Sequence, residues 1–227
     1  MSYGVSILKK ALDVWKHPGF SGSSSTLPKL AWQGLPYLLT RSGHARSPLT
    51  IYWNVNSVCN LHCKMCDVGT FTEASNFFQI LRIDRKLHEI SLERFKSVVD
   101  EVSSFRPIMS IIATEPLMYK PLAEAIAYAR QAGLEVTVTT GAYDLPQRAQ
   151  ELAKAGLTRL NVSLDGPPAL HNSIRGRPNV FERATEGVTR FKEHAKRAGL
   201  ATETMAVFTI TNLNFHSLAE FIDSLAP

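Results

Sequence analysis

The sequence contains little cysteine, no long apolar run and no secretion leader. Its 227 residues include only three cysteines, all within residues 59–66, so we expect no framework of disulfide bonds. No stretch reaches the roughly 18 consecutive apolar residues of a membrane-spanning helix. The N-terminus has no apolar core followed by a small-residue cleavage site. We therefore expect a cytoplasmic protein.

Most of the chain also lacks an excess of one charge sign. The net charge is +5, and residues 1–50 account for all of it with six basic residues and one acid. A neutral remainder argues against nucleic acid as a partner, because phosphate binding needs a basic face. With 44% hydrophobic and 20% charged residues, the composition is that of a single globular domain.

Residues 1–49 are expected to form a basic amphipathic N-terminal arm. Apolar residues recur at helical spacing from Val5 to Trp15, with lysines mostly on the other face. Two interpretations remain open. The arm is either a cap helix packed on the domain or an interfacial helix at the surface of a membrane with anionic lipid. The second interpretation adds peripheral membrane contact to the expected cytoplasmic location.

Residues 50–227 alternate between predicted strands and helices in five successive βα units. Strands are predicted at 50–56, 109–113, 135–140, 158–164 and 203–210. Helices are predicted at 91–105, 120–131, 146–155, 180–198 and 215–225. This order predicts an α/β fold with a parallel sheet, whose functional loops follow the carboxyl ends of the strands.

The three cysteines form a C-x3-C-x2-C motif directly after the first predicted strand. Cys59, Cys63 and Cys66 on one short loop can bind three irons of a cubane [4Fe–4S] cluster. The fourth iron is then open to an outside ligand, which is typical of a catalytic metal site. The alternative is a zinc site with His62 as the fourth ligand, although joint ligation by the adjacent residues 62 and 63 is strained.

This arrangement resembles the radical SAM superfamily, whose hallmark is the same motif after the first strand of a parallel βα barrel. The resemblance covers residues 50–225. It implies a partial parallel (β/α) barrel of five to six units and a [4Fe–4S] cluster whose open iron binds S-adenosylmethionine. It further implies reductive cleavage of this cofactor to a 5′-deoxyadenosyl radical, which abstracts hydrogen from a substrate. An electron donor such as flavodoxin or ferredoxin is the implied partner.

The resemblance also implies two cofactor-binding residues near the cysteines and the second strand. Glu115 in Ala-Thr-Glu-Pro resembles the glutamate of the family's Gly-Gly-Glu-Pro turn, which holds the amino group of the methionine moiety. Ala113 and Thr114 stand in place of the two glycines. Met65 lies where many members place an aromatic residue against adenine, and its thioether can make a soft contact with a ring.

Three further residues are implied by turns after the third and fourth strands. Thr140 belongs to Thr-Thr-Gly, which resembles a Thr-Asn-Gly turn of the family. Ser163 and Asp165 belong to Ser-Leu-Asp-Gly, which the family also has. Ser163 is expected to approach the ribose or the methionine carboxylate, whereas Asp165 is expected to shape the turn or to face substrate.

Two long loops, at 67–90 and 165–179, are the candidates for substrate contact. Arg175 and Arg177 in the second loop are expected either to clamp a carboxylate or phosphate or to lie in solvent. The substrate class stays open between a peptide, a natural-product or cofactor precursor, and a lipid.

The sequence departs from the family in its number of units. The family core normally has six βα units, whereas five are predicted here, without the C-terminal cysteines of the auxiliary-cluster members that it resembles. We expect a short form, a truncated form or a sheet completed by a partner.

A non-catalytic iron–sulfur protein for electron transfer or sensing is the rival function, and a zinc-stabilised interaction module is the third.

Overall fold

The computed structural model describes residues 35, 36, 39, 46–70, 79 and 88–225. The chain divides into two units, Met1–Leu49 and Thr50–Pro227, and the predicted sheet belongs to the second. The predicted helix of the arm and most of the predicted 67–90 loop lie outside the described residues, so both stay predictions.

Five parallel strands form one sheet in the order of the chain, which confirms the predicted α/β fold. They are β1 (Thr50–Trp53), β2 (Ile108–Ile111), β3 (Val136–Thr140), β4 (Arg159–Ser163) and β5 (Glu203–Val207). Four of the strands end earlier than predicted, whereas β3 ends at Thr140 as predicted. Side-chain hydrogen bonds engage some of the residues that follow the shorter strands. At the end of β1, for example, the side chains of Asn54 and Asn56 accept hydrogen bonds from the Thr114 hydroxyl.

Seven α-helices lie within the described residues. They are α1 (Asp67–Thr70), α2 (Leu92–Val102), α3 (Leu122–Gln131), α4 (Leu145–Lys154), α5 (Pro168–Arg175), α6 (Val180–Arg197) and α7 (Leu218–Leu225). Ser91 caps α2 by accepting a hydrogen bond from the Arg94 amide at 3.2 Å, as its position before the apolar periodic residues predicts. No helix in the described part of the chain is long and apolar enough to cross a membrane.

Helix α5 corrects the prediction of an irregular loop at 165–179. It begins with Pro168 in its first turn and ends at Gly176, which has a φ of 67° and whose amide binds the Asn172 carbonyl. Proline at a helix start and glycine just past its end are ordinary boundary signals. The helix is short, and the polar residues around it concealed those signals in the sequence.

The two faces of the sheet differ in polarity, since side chains alternate along a strand. One face carries buried apolar residues such as Met109, Val138 and Leu160, which pack with the helices in the main hydrophobic core. The alternate positions are polar and pair with each other across strands. Thr137 donates to the Ser110 hydroxyl at 3.0 Å, and the Asn161 amide donates to the Thr139 hydroxyl at 3.2 Å. The sheet therefore offers a polar surface on the side away from the core.

Candidate active site at the carboxyl ends of the strands

The loops after β1 to β4 enclose a cavity of about 230 Å³. Seven of the eight predicted site residues line it: Cys59, Cys63, Met65, Cys66, Glu115, Thr140 and Ser163. They come from four separate strand ends and are brought together because the strands are parallel. Asp165 does not line the cavity, and the fully buried position of its side chain places it in the wall behind.

The cysteine loop is a tight turn in which Cys63 is buried and Cys59 and Cys66 are half-buried free thiols. The Cys66 amide donates to the Cys63 carbonyl at 3.1 Å, and the Thr70 amide donates to the Cys66 carbonyl at 2.8 Å. Helix α1 therefore starts directly on the loop. Gly69 on this helix lies so close to the Cys63 backbone that a side chain there would overlap it.

The carboxyl end of α5 supports the other side of the cysteine loop. The His62 amide donates to the Arg175 carbonyl at 3.1 Å, and the Lys64 amide donates to the Ile174 carbonyl at 2.9 Å. Arg177 adds a hydrogen bond of 2.9 Å to the Asn60 carbonyl. The backbone of the loop is thus held on both sides of Cys63 by residues more than 100 positions later in the chain.

The donor set of the loop fits a cubane cluster. Within residues 46–70 and 88–225, no three His, Cys, Asp or Glu side chains are grouped so as to hold one shared metal ion. Zinc requires its ligands around one ion, and His62 is exposed and does not line the cavity. A [4Fe–4S] cluster takes one thiolate per iron, and three thiols facing one cavity meet that need.

Burial disfavours the ionised form of two of these thiols. It raises the pKa of Cys59 to about 12, with the Glu115 carboxylate as a second cause. Burial also raises the pKa of Cys63, an effect that the neighbouring Arg175 guanidinium opposes. Both thiols therefore favour the protonated form at neutral pH, and iron, if bound there, would have to displace their protons.

Glu115 is buried and its carboxylate accepts three hydrogen bonds from the protein. Its Oε1 accepts from the Leu117 amide at 3.0 Å and from the Thr140 hydroxyl at 2.5 Å, and its Oε2 accepts from the Gly141 amide at 2.9 Å. Burial raises the pKa of Glu115, and these hydrogen bonds oppose the rise. A carboxylate has about four lone-pair sites, so one remains for a ligand.

The two residues that replace glycines in this turn are accommodated by the backbone and by side-chain bonding. Ala113 has a φ of 69°, in the left-handed region that glycine favours. The Thr114 hydroxyl lies 2.6 Å from Asn56 Oδ1 and 2.8 Å from the Asn56 carbonyl. The turn therefore keeps the conformation that a glycine would allow, and Thr114 fixes it to the end of β1.

Thr140 and Ser163 occupy the ends of β3 and β4 beside Glu115. The Thr140 hydroxyl donates to Glu115 and accepts a hydrogen bond from the Ala142 amide at 2.8 Å. It is therefore engaged in orienting the carboxylate. Ser163 is half-buried and lines the cavity directly.

Asp165 belongs to a buried polar network that supports the site from behind. Its Oδ2 lies 2.5 Å from Arg175 Nη2, and its Oδ1 accepts from the Thr209 amide at 3.0 Å. Its own amide donates to Nδ1 of His171 at 3.0 Å. His171 is fully buried, and its ring supports the turn through this hydrogen bond. The carboxylate of Asp165 is occupied by protein groups.

Arg175 lies at the site, although the sequence predicted for it either a substrate clamp or a position in solvent. It lines the cavity, and its Nη1 lies 3.7 Å from the sulfur of Cys63. Arg177, the second arginine of the expected clamp, stacks on the Tyr143 ring with its guanidinium carbon 3.5 Å from the ring centre. The one signal in the sequence was Gly176 directly after Arg175, because glycine commonly follows the last residue of a helix.

These features define a parallel α/β protein with a candidate iron–sulfur site at the carboxyl ends of its strands. The model of the Radical SAM superfamily matches residues 53–225, and the chain belongs to this superfamily. Members are enzymes that use a [4Fe–4S] cluster and S-adenosylmethionine. The fold prediction of a partial barrel of this type is confirmed.

Two curated relatives match most of this chain. The Fe-coproporphyrin III synthase of Methanosarcina barkeri is 30% identical over 193 residues, which cover 84% of this chain and 44% of the relative. The AdoMet-dependent heme synthase of Oleidesulfovibrio alaskensis is 31% identical over 168 residues, which cover 73% of this chain and 39% of the relative. The chain spans less than half the length of either protein.

A solved structure has the same fold. Streptococcus suis SuiB bound to S-adenosylmethionine superposes with a TM-score of 0.60 at 17% identity, over 87% of this chain and 42% of that chain. At this identity the likeness concerns the fold.

Proposed function

We propose that this chain catalyses radical chemistry with a [4Fe–4S] cluster and S-adenosylmethionine. The observation that carries the proposal is the convergence of Cys59, Cys63 and Cys66 with Glu115 and Ser163 on one cavity. When bound, the two cofactors supply reductive cleavage of the sulfonium to a 5′-deoxyadenosyl radical that abstracts hydrogen from the substrate. The tasks of the protein are to bind, orient and shield.

Each residue has a role that follows from its position. The three cysteines hold the cluster. Glu115 accepts a charge-assisted hydrogen bond from the ammonium of S-adenosylmethionine with its remaining lone pair, and Thr140 orients Glu115. Ser163 contacts the ribose or the carboxylate.

Met65 and Asp165 complete the proposed set of residues. Met65 lines the cavity beside Cys66 and contacts adenine through its thioether. Asp165 acts through Arg175 rather than by touching the cofactor.

For the substrate, we propose a cofactor precursor of the porphyrin class. Support comes from the names of the two relatives, an Fe-coproporphyrin III synthase and a heme synthase that depends on S-adenosylmethionine. The electron donor is proposed to be a small carrier such as flavodoxin or ferredoxin. Peripheral membrane contact through residues 1–49 stays a prediction, because most of the arm lies outside the described residues.

The first experiment measures 5′-deoxyadenosine. The protein is reconstituted anaerobically with iron and sulfide, its iron and sulfide content is determined, and it is given S-adenosylmethionine and dithionite. We expect product from the wild type and none from Cys63→Ala. Faster product formation with iron coproporphyrin III, but not with a peptide of similar mass, supports the porphyrin class.

Two negative outcomes have different meanings. A protein that binds four irons per chain and yields no 5′-deoxyadenosine contradicts catalysis by this chain and favours the rival iron–sulfur electron-transfer protein. A protein that binds no iron contradicts the cluster itself.

Liposome co-sedimentation of the full chain and of a variant lacking residues 1–45 tests membrane contact, and equal binding of both rejects it.

A further inference from the structure

Arg175 connects the cysteine loop to the buried network behind the cavity. Its guanidinium nitrogen Nη1 lies 3.7 Å from the sulfur of Cys63, and Nη2 lies 2.5 Å from Oδ2 of Asp165. The side chain of Arg175 is only 10% exposed and that of Asp165 is fully buried. A buried cation needs a partner of opposite charge, and Asp165 provides it.

The position of this guanidinium is fixed from several directions. The backbone carbonyl of Arg175 accepts a hydrogen bond from the His62 amide, so the backbone of Arg175 is tied to the cysteine loop. Asp165 is fixed in turn by the Thr209 amide on its second oxygen and by the His171 ring on its own amide. The N–H donor therefore points at the sulfur before any metal binds. The arginine side chain then loses no further conformational entropy when a metal binds.

A hydrogen bond to a cysteine sulfur changes the energy of the metal centre that the sulfur binds. Reduction of a cluster adds negative charge, and donors to its sulfurs stabilise the reduced form and raise the reduction potential. The Arg175–Asp165 pair is neutral as a whole, so the directed N–H donor, more than a net charge, is the relevant feature.

We propose that Arg175, held by Asp165, is a positioning residue that donates a hydrogen bond to the Cys63 sulfur and raises the reduction potential of the cluster. The proposal rests on the proposed cluster and extends it. Arg175 acts through the ligand Cys63, and this separates its role from both sequence alternatives, the substrate clamp and the solvated loop. The residue sets how easily an electron from the donor enters the site.

The test compares four reconstituted proteins: wild type, Arg175→Gln, Arg175→Lys and Arg177→Gln. Arg177 is the matched control, because it holds the backbone of the same loop through the Asn60 carbonyl. Iron and sulfide content establishes that a cluster is present, and a redox titration followed by EPR gives its potential. Neither measurement depends on turnover.

We expect Arg175→Gln to lower the potential so that reduction becomes at least tenfold less favourable, which is about 59 mV for one electron. Arg175→Lys keeps a charge but not the two-branched guanidinium, so its potential should fall by a smaller, measurable amount. Arg177→Gln should keep the wild-type potential.

Three results would overturn the proposal. The first is a full cluster with wild-type potential in Arg175→Gln. The second is a wild-type potential in Arg175→Lys, which decides the question if Arg175→Gln does not fold. The third is loss of the cluster in both Arg175 variants but not in Arg177→Gln, which makes the residue structural only. A wild type that binds no cluster refutes the proposed function instead, so the two failures are distinguishable.

Discussion

Gly176 lies against the carbonyl of His62 so closely that a methyl group on its α-carbon would overlap the carbonyl oxygen. The same glycine has a φ of 67° and ends α5. One residue therefore satisfies two conditions, a left-handed helix end and a close approach to the cysteine loop. The approach makes the loop and α5 a single packed unit.

Gly176→Ala should destabilise the protein more than Gly199→Ala does. Gly199 has a similar φ of 65° but nothing within 4 Å of an added methyl group. Gly199→Ala therefore measures the free-energy cost of the left-handed backbone alone, without steric overlap. Alanine in the left-handed region costs roughly 1 kcal/mol at either site. Overlap with His62 should add about 2 kcal/mol at residue 176. Urea unfolding of both variants measures the difference, and equal losses would contradict the close contact.

The left-handed conformation of Ala113 leads to a second prediction, on the free energy of unfolding. Ala113→Gly removes a backbone strain of roughly 1–2 kcal/mol from the folded state. It also lowers the free energy of unfolding by about 0.5–1 kcal/mol, because glycine gives the unfolded chain more conformational freedom. We expect a gain in unfolding free energy of about 0.5 kcal/mol on that balance. Ala132→Gly, at a φ of −73°, is the control and should be destabilised. Denaturant titration compares them, and a loss at residue 113 equal to that at residue 132 would count against the strain.

Glu115 and Thr140 can be separated by their effects on binding of S-adenosylmethionine. Glu115→Gln removes the negative charge and should weaken binding at least tenfold, since a charge-assisted hydrogen bond contributes about 1.5–3 kcal/mol. Thr140→Val removes a hydrogen bond to the same carboxylate and keeps the charge. It should reduce stability by about 1 kcal/mol and leave affinity within a few-fold of wild type. Calorimetric titration of the reconstituted variants gives both affinities, and equal affinities would argue against Glu115 as a ligand.

His171 predicts a dependence of stability on pH. Burial, reinforced by the Arg175 charge, lowers the pKa of His171 to about 3, below its ordinary value of 6.5. A histidine whose pKa is lower in the folded state contributes stability above pH 6.5 and loses it as the pH falls toward 3. The unfolding free energy should therefore decline between pH 6.5 and 5 by up to about 1.4 kcal/mol per pH unit.

His171→Asn should make that decline shallower. Asparagine offers an acceptor for the Asp165 amide but takes up no proton in this range. His216→Asn is the control, because His216 is exposed, and its pH profile should follow the wild type. Unfolding in urea at several pH values measures all three slopes. Parallel slopes in wild type and His171→Asn would exclude His171 as the proton-linked group.

The local order of the sequence predicted much of this molecule. The alternation of strands and helices indicated the parallel sheet, and parallel strands bring their following loops together, so the convergence of Cys63, Glu115 and Ser163 was predictable. The partners of Asp165 were not. Asp-Gly after a strand is compatible with a turn, a ligand or a buried ion pair, and the choice depends on Arg175, which lies on an unpredicted helix. The left-handed φ of Ala113 has no signal in the alanine itself, and only its place at a glycine position of the family turn pointed to it.

The support of the cysteine loop by α5 has a consequence for synthesis of the protein. Cys63 and Arg175 are 112 positions apart, and at about 5–20 residues per second a ribosome needs roughly 6–22 s to cover that distance. During this interval the three thiols have been made while the helix that holds their loop has not. We therefore expect stable insertion of iron and sulfide to follow emergence of the fourth strand and of α5 from the ribosome.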